Sequence, residues 1–245
     1  QVNEETAGFI KMLREVYADF GFDSFRIKFS DRPDNRAGSD ETWDKAEGAL
    51  RSAVESLGLE CELNPGEGAF YGPKLEFVLR DAIGRDWQCG TLQVDFVLPD
   101  RLDAEYVAED GSRQRPVMLH RAVLGSLERF LGILIESTAG HLPLWLAPRP
   151  VAVCTITNSA DEYATTVQQK LVAAGIPAEL DIRNEKIGFK VREHSRAKTP
   201  RIWVIGEQEA QHNQVAIRTL GSQATETVDL DEAVAALAEA TRLPI

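Results

Sequence analysis

The chain has 245 residues, of which 43% are hydrophobic and 27% charged, with a formal net charge of −12 and three cysteines. That apolar content excludes a disordered chain, and 18 glycines and 11 prolines without a period exclude a collagen-like one. Cys61, Cys89 and Cys154 show no C-x-x-C spacing, which argues against a disulfide framework or a self-contained zinc ribbon. No run reaches the roughly 18 apolar residues of a membrane span, and residues 1–8 are polar and acidic rather than basic then apolar. The expectation is a cytoplasmic protein with no membrane partner.

Taken in chain order, Phe9, Ile10, Leu13, Val16, Tyr17 and Phe20 recur at helical spacing, and residues 25–29 alternate as a strand. Trp43, Ala46, Leu50, Val54 and Leu57 predict a second amphipathic helix that stops at Gly58. Strands follow at 59–63, 75–79 and 87–96, then a turn at 108–111, a strand near 117–121 and a helix over 124–135. Consecutive strands with short turns predict an antiparallel sheet with helices on one side, an α+β domain. Residues 141–150 hold three prolines, so neither helix nor central strand continues through them. The boundary is therefore placed there, giving domains 1–146 and 147–245.

Beyond it, 151–156 reads as a strand, and residues 159–162 read as a capping box ahead of a helix ending at Gly175. Strands at 178–182 and 201–205 bracket a helix near 186–196, and strands at 214–218 and 225–230 precede a closing helix over 231–241. This alternation predicts a small α/β domain with a mostly parallel sheet and helices on both faces.

Charge is uneven. Residues 1–148 hold 16 Lys and Arg against 26 Asp and Glu, whereas residues 149–245 hold 11 against 13. Between Arg183 and Arg201 seven basic residues face two acids. Such a run is either a solvated helix face or a surface for phosphates.

Four polar clusters could carry chemistry. Glycines at 66–74 allow close backbone approach to a ligand beside Tyr71 and Lys74, although a plain hairpin loop has the same composition. Alternation places Cys89, Thr91, Gln93 and Asp95 on one strand face, more polar side chains than a dry face holds. His120 ends an apolar strand and is either a core histidine or a ligand. Arg129 falls in the first turn of a helix, where free N–H groups favour an anion, unless it merely pairs with Glu128.

Taken together, residues 66–74, 88–95 and 116–129, with 145–148 and 183–190, closely resemble the bacterial-type threonyl-tRNA synthetase family, class II, subclass a. The resemblance implies the C-terminal part of a class II catalytic domain joined to an anticodon-binding domain. It implies a ligase that condenses L-threonine with ATP and Mg2+ and passes the threonyl group to tRNA(Thr), as a homodimer in the full-length protein. It also implies that Arg129 grips the ATP γ-phosphate, Gln88 and Thr91 hold the adenylate, and Ser126 meets the adenosine. Arg129, Gln88 and Thr91 are the expected catalytic set. Tyr71 and Gln93, with Lys74 beside them, lie near threonine. His120 is one ligand of a zinc ion (Zn2+), whose Cys and His partners would lie before Gln1 together with the first two class II motifs. By the same resemblance, Asn184, Glu209 and Arg218 are expected to contact anticodon bases, while Lys186, Lys190 and Arg192 would suit phosphates. A non-catalytic RNA-binding or regulatory module derived from this fold is the alternative.

Overall fold

The computed structural model describes residues 1–244 and divides into two compact units, Gln1–Ser137 and Thr138–Ile245. The first contains α1 (Val2–Asp19), β1 (Arg26–Ser30), α2 (Asp40–Ser56), β2 (Glu62–Asn64), β3 (Lys74–Arg80), β4 (Asp86–Asp95), α3 (Val97–Arg101), β5 (Tyr106–Val107), β6 (Arg113–Gln114), β7 (Met118–Ala122) and α4 (Leu127–Thr138). The second contains β8 (Val151–Thr155), α5 (Asp161–Ala173), β9 (Ala178–Asp181), α6 (Ile187–Arg196), β10 (Arg201–Ile205), α7 (Glu207–His212), β11 (Gln214–Thr219), β12 (Thr225–Asp229) and α8 (Leu230–Ala240).

In the first unit the sheet order is β2-β1-β3-β4-β7. Its central pairs are antiparallel, but β1 and β2 run parallel, which corrects the purely antiparallel expectation. The reason is α2, which carries the chain back along the sheet between those two strands, as a parallel pair requires. The helices cover one face. Phe9 meets Phe77 edge-on at 5.8 Å, Arg51 lies over Phe29, and Phe130 packs on Tyr17, Phe20 and Phe22. Gly90 is required there, because a Cβ would press into Leu13, Tyr17 and Phe77.

The register of β4 slips at one point: Phe77 pairs with Gly90 and Val78 with Gln88, leaving Cys89 as the extra residue of a β-bulge. Cys89 is thereby taken out of the polar file. It is 2% exposed, and burial pushes its thiol pKa up. Gln88 takes its place beside Thr91, donating a 2.9 Å hydrogen bond to the Thr91 hydroxyl. Simple alternation cannot anticipate this correction.

The second unit has the order β12-β11-β10-β8-β9, with β8 parallel to β9 and β10 and the other two pairs antiparallel. The sheet is mixed rather than mostly parallel. The six residues of α7 are too few for a crossover, so β11 returns beside β10 in the opposite direction. Trp203, Val151, Val167, Leu171 and Leu237 form the core under α5 and α8, and Ala152, Cys154 and Ile202 meet Ile187 and Val191 of α6 on the other face.

Two further expectations are corrected here. Ala160, not Ser159, precedes α5; the Ser159 hydroxyl donates instead to Glu207 at 2.8 Å, so no capping box forms at 159–162. Lys190 is not a phosphate ligand. It is 1% exposed, and its ammonium donates to the carbonyls of Thr155 and Asp181, both at 3.0 Å, and to the Thr155 hydroxyl at 3.3 Å. It thereby ties α6 to the ends of β8 and β9.

Lys190→Met, which leaves two buried carbonyls without their donor, is expected to destabilise the chain by about 2 kcal/mol in urea unfolding. Arg183 and His194 bond the Asp181 carboxyl and, against its burial, hold it well below its ordinary 3.8. The stability this lends is complete above that ordinary value and is lost as pH falls below it. Asp181→Asn is expected to flatten the acid limb of the stability–pH curve, measured by urea midpoints between pH 2 and 6.

Candidate functional site

Antiparallel pairing aligns the residues of interest. Ser30, Lys74, Gln93 and His120 stand abreast on β1, β3, β4 and β7, because Ser30 pairs with Lys74, Lys74 with Gln93, and Gln93 with His120. Neighbouring strands lie about 4.8 Å apart, so this row forms one continuous floor. It lies on the face opposite Leu75, Phe77 and Leu92, which meet the helices. Glu76 and Thr91 form the next row.

Short polar contacts knit this floor. The Tyr71 hydroxyl donates to Gln93 Oε1 at 2.7 Å, and the Tyr71 and His120 rings meet edge-on at 5.8 Å. Lys74 Nζ lies 2.8 Å from Glu76 Oε1, which also accepts from the buried Ser30 hydroxyl at 2.9 Å. Four sequence-predicted residues, Tyr71, Lys74, Gln93 and His120, are therefore gathered together.

His120 is 37% exposed, and its Nε2 lies 2.8 Å from Asp95 Oδ2. Asp95 is fully buried, and its other oxygen accepts from the amides of Val97 and Leu98 at 2.8 and 3.0 Å at the start of α3. Burial pushes the Asp95 carboxyl up, but the bonds from His120, Leu98 and Val97 outweigh it and hold the group below its ordinary value. The carboxylate accepts, so Nε2 carries the proton and Nδ1 is the nitrogen left for a ligand. An imidazole oriented in this way by a carboxylate has the form of a metal-bound histidine. Asp95 was visible in the sequence only as one polar strand residue; its signal was an Asp two residues before a short helix whose first amides need an acceptor.

Arg129, exposed near the start of α4, has no carboxylate partner among the described residues. Its guanidinium carbon lies 5.5 Å from the centre of the Trp87 ring, whose Nε1 donates to Asp81 at 2.9 Å. Trp87 and Asp81 were both missed by sequence reasoning, because the ring meets Arg129 only across the fold. Glu128 does not pair with Arg129; it accepts from the Ser126 hydroxyl at 2.8 Å. Gly125 adopts φ 66° and passes so close to the Cys89 carbonyl that a Cβ would collide with it. A cavity of about 270 Å³ adjoins Tyr71, whereas one of about 740 Å³, lined by Arg14, Phe22 and Arg26, includes none of the expected site residues.

In the second unit, Asn184 follows β9 and Glu209 lies in α7 after β10, so both stand at the C-terminal ends of parallel strands. Glu209 Oε2 accepts from the Gly206 amide at 2.9 Å. Arg218 pairs with Ile202, three residues back along β10 from Ile205, and so lies roughly 10 Å down the sheet. Cys154, Asp181 and His194 bring ligand atoms within 4.8 Å of one another, the one such grouping of three or more among the described residues. It is unsuited to a metal. Asp181 is held by Arg183 at 2.9 and 2.7 Å, the Lys190 ammonium stands 4.0 Å away, and burial pushes the Cys154 thiol up to about 12. His120 thus belongs to no described ligand trio.

Residues 1–138 match the tRNA synthetase class II core domain (G, H, P, S and T), and residues 150–240 match the anticodon binding domain. The chain is 69% identical over 242 residues to a threonine–tRNA ligase of Paramagnetospirillum magneticum, covering 98% of this chain and 38% of that protein. It is 63% identical over 244 residues to a threonine–tRNA ligase of Gluconobacter oxydans, covering 100% and 38%. Among solved structures, the RNA binding domain of threonyl-tRNA synthetase from Cryptosporidium parvum Iowa II matches with TM-score 0.93 and 37% identity, over 98% of this chain and 60% of that one. The chain thus spans little more than a third of the length of those two curated relatives. A core-domain match over more than half of its residues, on a sheet whose open face carries this polar row, places the chain in the class II tRNA synthetase core family, here followed by an anticodon-binding domain.

Proposed function

We propose that this chain is part of a threonine–tRNA ligase, with residues 1–146 contributing to the amino-acid-activating site and residues 147–245 reading the tRNA. The observation that carries this reading is the continuous row Lys74–Gln93–His120, bonded to Tyr71 at Gln93, on the sheet face opposite Leu75, Phe77 and Leu92. Such a floor offers acceptors and donors at fixed spacing to a small polar amino acid.

Each residue then has a task. Tyr71 and Gln93, already bonded to each other, hold a donor and acceptor pair toward threonine. Lys74 is neutralised by Glu76 and lends a directed N–H rather than a free charge. Gln88 and Thr91, brought together by the bulge, present one amide and one hydroxyl to the adenylate, with Ser126 near the adenosine at the turn into α4. Arg129 meets the ATP γ-phosphate with Mg2+, and its fork is free for that because it spends no charge on a carboxylate. Stacking on Trp87 limits the rotamers it must lose on binding.

The His120–Asp95 pair fits a zinc ligand and its supporting carboxylate, although His120 is one ligand and a zinc site open to substrate needs three from protein. Bound zinc would supply an acid that seeks the threonine hydroxyl and so rejects valine, its isostere. Asp95 keeps His120 in the tautomer that serves this. In the second unit, Asn184, Glu209 and Arg218 read successive anticodon bases, the roughly 10 Å offset of Arg218 matching more than one base step of splayed RNA. Exposed Lys186 and Arg192 meet phosphates. The full-length protein is a cytoplasmic homodimer in this reading.

Threonine-dependent ATP–pyrophosphate exchange by the full-length protein is the deciding measurement; absence of exchange with Mg2+ and Zn2+ present would leave the non-catalytic RNA-binding module as the better reading. Arg129→Ala is expected to raise the KM for ATP in that assay by about 10- to 100-fold, the worth of one bidentate ionic contact, with tRNA affinity unchanged. Arg218→Ala is expected to do the converse, raising the KM for tRNA about tenfold while exchange proceeds normally. A variant that charged tRNA like the parent would remove Arg218 from the RNA-reading set.

A further inference from the structure

One hollow in the second unit is lined by cations and by no acid. His141, Lys198 and Arg201, with Leu144, Pro200 and Thr219 among their neighbours, surround a cavity of about 230 Å³. Lys198 Nζ lies 3.0 Å from His141 Nε2; an ammonium has only protons to give, so this imidazole nitrogen accepts. Arg201 spends one N–H on the Pro200 carbonyl at 3.3 Å. Among the described residues neither Lys198 nor Arg201 has a carboxylate partner; the same holds for Lys186, Arg192, Arg196 and Arg218 of this unit, but Lys198 and Arg201 are the two that line one hollow together. In a chain of net charge −12, two uncompensated cations turned into one concavity are an anion site rather than a solvated face.

The backbone holds these groups in place. Lys198 follows α6 at φ 61° with its amide bonded to the Ser195 carbonyl at 3.1 Å, and Arg201 is the first residue of β10, paired with Val151 and Thr219. The lining holds no Phe, Tyr or Trp on which a base could stack, which favours a phosphate over a nucleobase. Arg201 also stands at the end of the sheet opposite Asn184 and Glu209, where residues 141–150 lead into β8.

We propose that the His141–Lys198–Arg201 hollow binds a phosphodiester of the tRNA backbone, a contact separate from base reading; this rests on the reading above that the second unit binds tRNA. The test is the salt dependence of binding of the 245-residue chain to a tRNA(Thr) transcript, followed by fluorescence anisotropy at several KCl concentrations. Lys198→Gln and Arg201→Gln are each expected to make the slope of log affinity against log salt shallower by about one, the signature of one lost phosphate contact. The weakening should be equal for a transcript with an altered anticodon, Lys198→Arg should restore the slope, and urea midpoints should stay at the parent value. A slope unchanged in both Gln variants overturns the proposal, as does a loss confined to the native anticodon or one accompanied by a lowered urea midpoint. Stabilisation of the parent by inorganic phosphate with no effect of either variant on the RNA slope would mark a free-anion site instead and also overturn it. If the parent chain binds no tRNA at any salt, the RNA-reading role falls first and the hollow with it; binding with an unaltered slope removes only the hollow.

Discussion

Everything the open sheet face can do depends on the hydrogen-bond register of β4 between β3 and β7. Backbone pairing along these strands puts Lys74, Gln93 and His120 side by side, and a slip of one residue in either ladder would turn every polar side chain of β4 toward the helices. The same register buries Leu75, Phe77 and Leu92 on the other face, so hydrophobic burial and site assembly are enforced by one set of bonds. The bulge at Cys89 belongs to this constraint. It spends one residue to bring Gln88 to Thr91 while keeping Gly90 small enough to lie against Leu13 and Tyr17.

The charges follow a second logic. The chain is strongly acidic, yet its cations are not spread as a screening layer. Arg183 is drawn to Asp181 and Glu193, and Lys190 is withdrawn entirely to tie strand ends together. Among the cations without a carboxylate partner are Arg129, which lies over Trp87, exposed Lys186 and Arg192, and Lys198 and Arg201, which share one hollow. Net charge therefore says little about which polyanion an acidic protein can hold, because a contact within a few ångströms outweighs a screened mean field.

A third pattern is support from behind. His120 is oriented by Asp95, Asp95 by two amides of α3, Arg129 by Trp87, and Trp87 by Asp81. Asp81 also holds Arg85, and Trp87 lies against Arg85 as well, so this backing is shared with the surrounding loop. This arrangement keeps the rotamers of the outer groups restricted before any ligand arrives, so less order must be imposed on binding.

Local spacing alone was enough to place most helices and strands, because burying one side of a helix or strand imposes a period that side chains cannot conceal. Gly58 and Gly175 and the proline-bearing 141–150 segment marked ends for the same reason, their backbone chemistry being local. The polar side chains at 71, 74, 91, 93, 120 and 129 were likewise legible as candidates from residue type and order, whereas Gln88 was named only through the family resemblance. Tertiary structure alone decided the rest: that Cys89 leaves the polar file, that β1 and β2 run parallel, that the second sheet is mixed, that Lys190 is buried, and that Asp95 and Trp87 stand behind His120 and Arg129. Register, strand direction and desolvation arise between residues distant in the chain, and no local period encodes them.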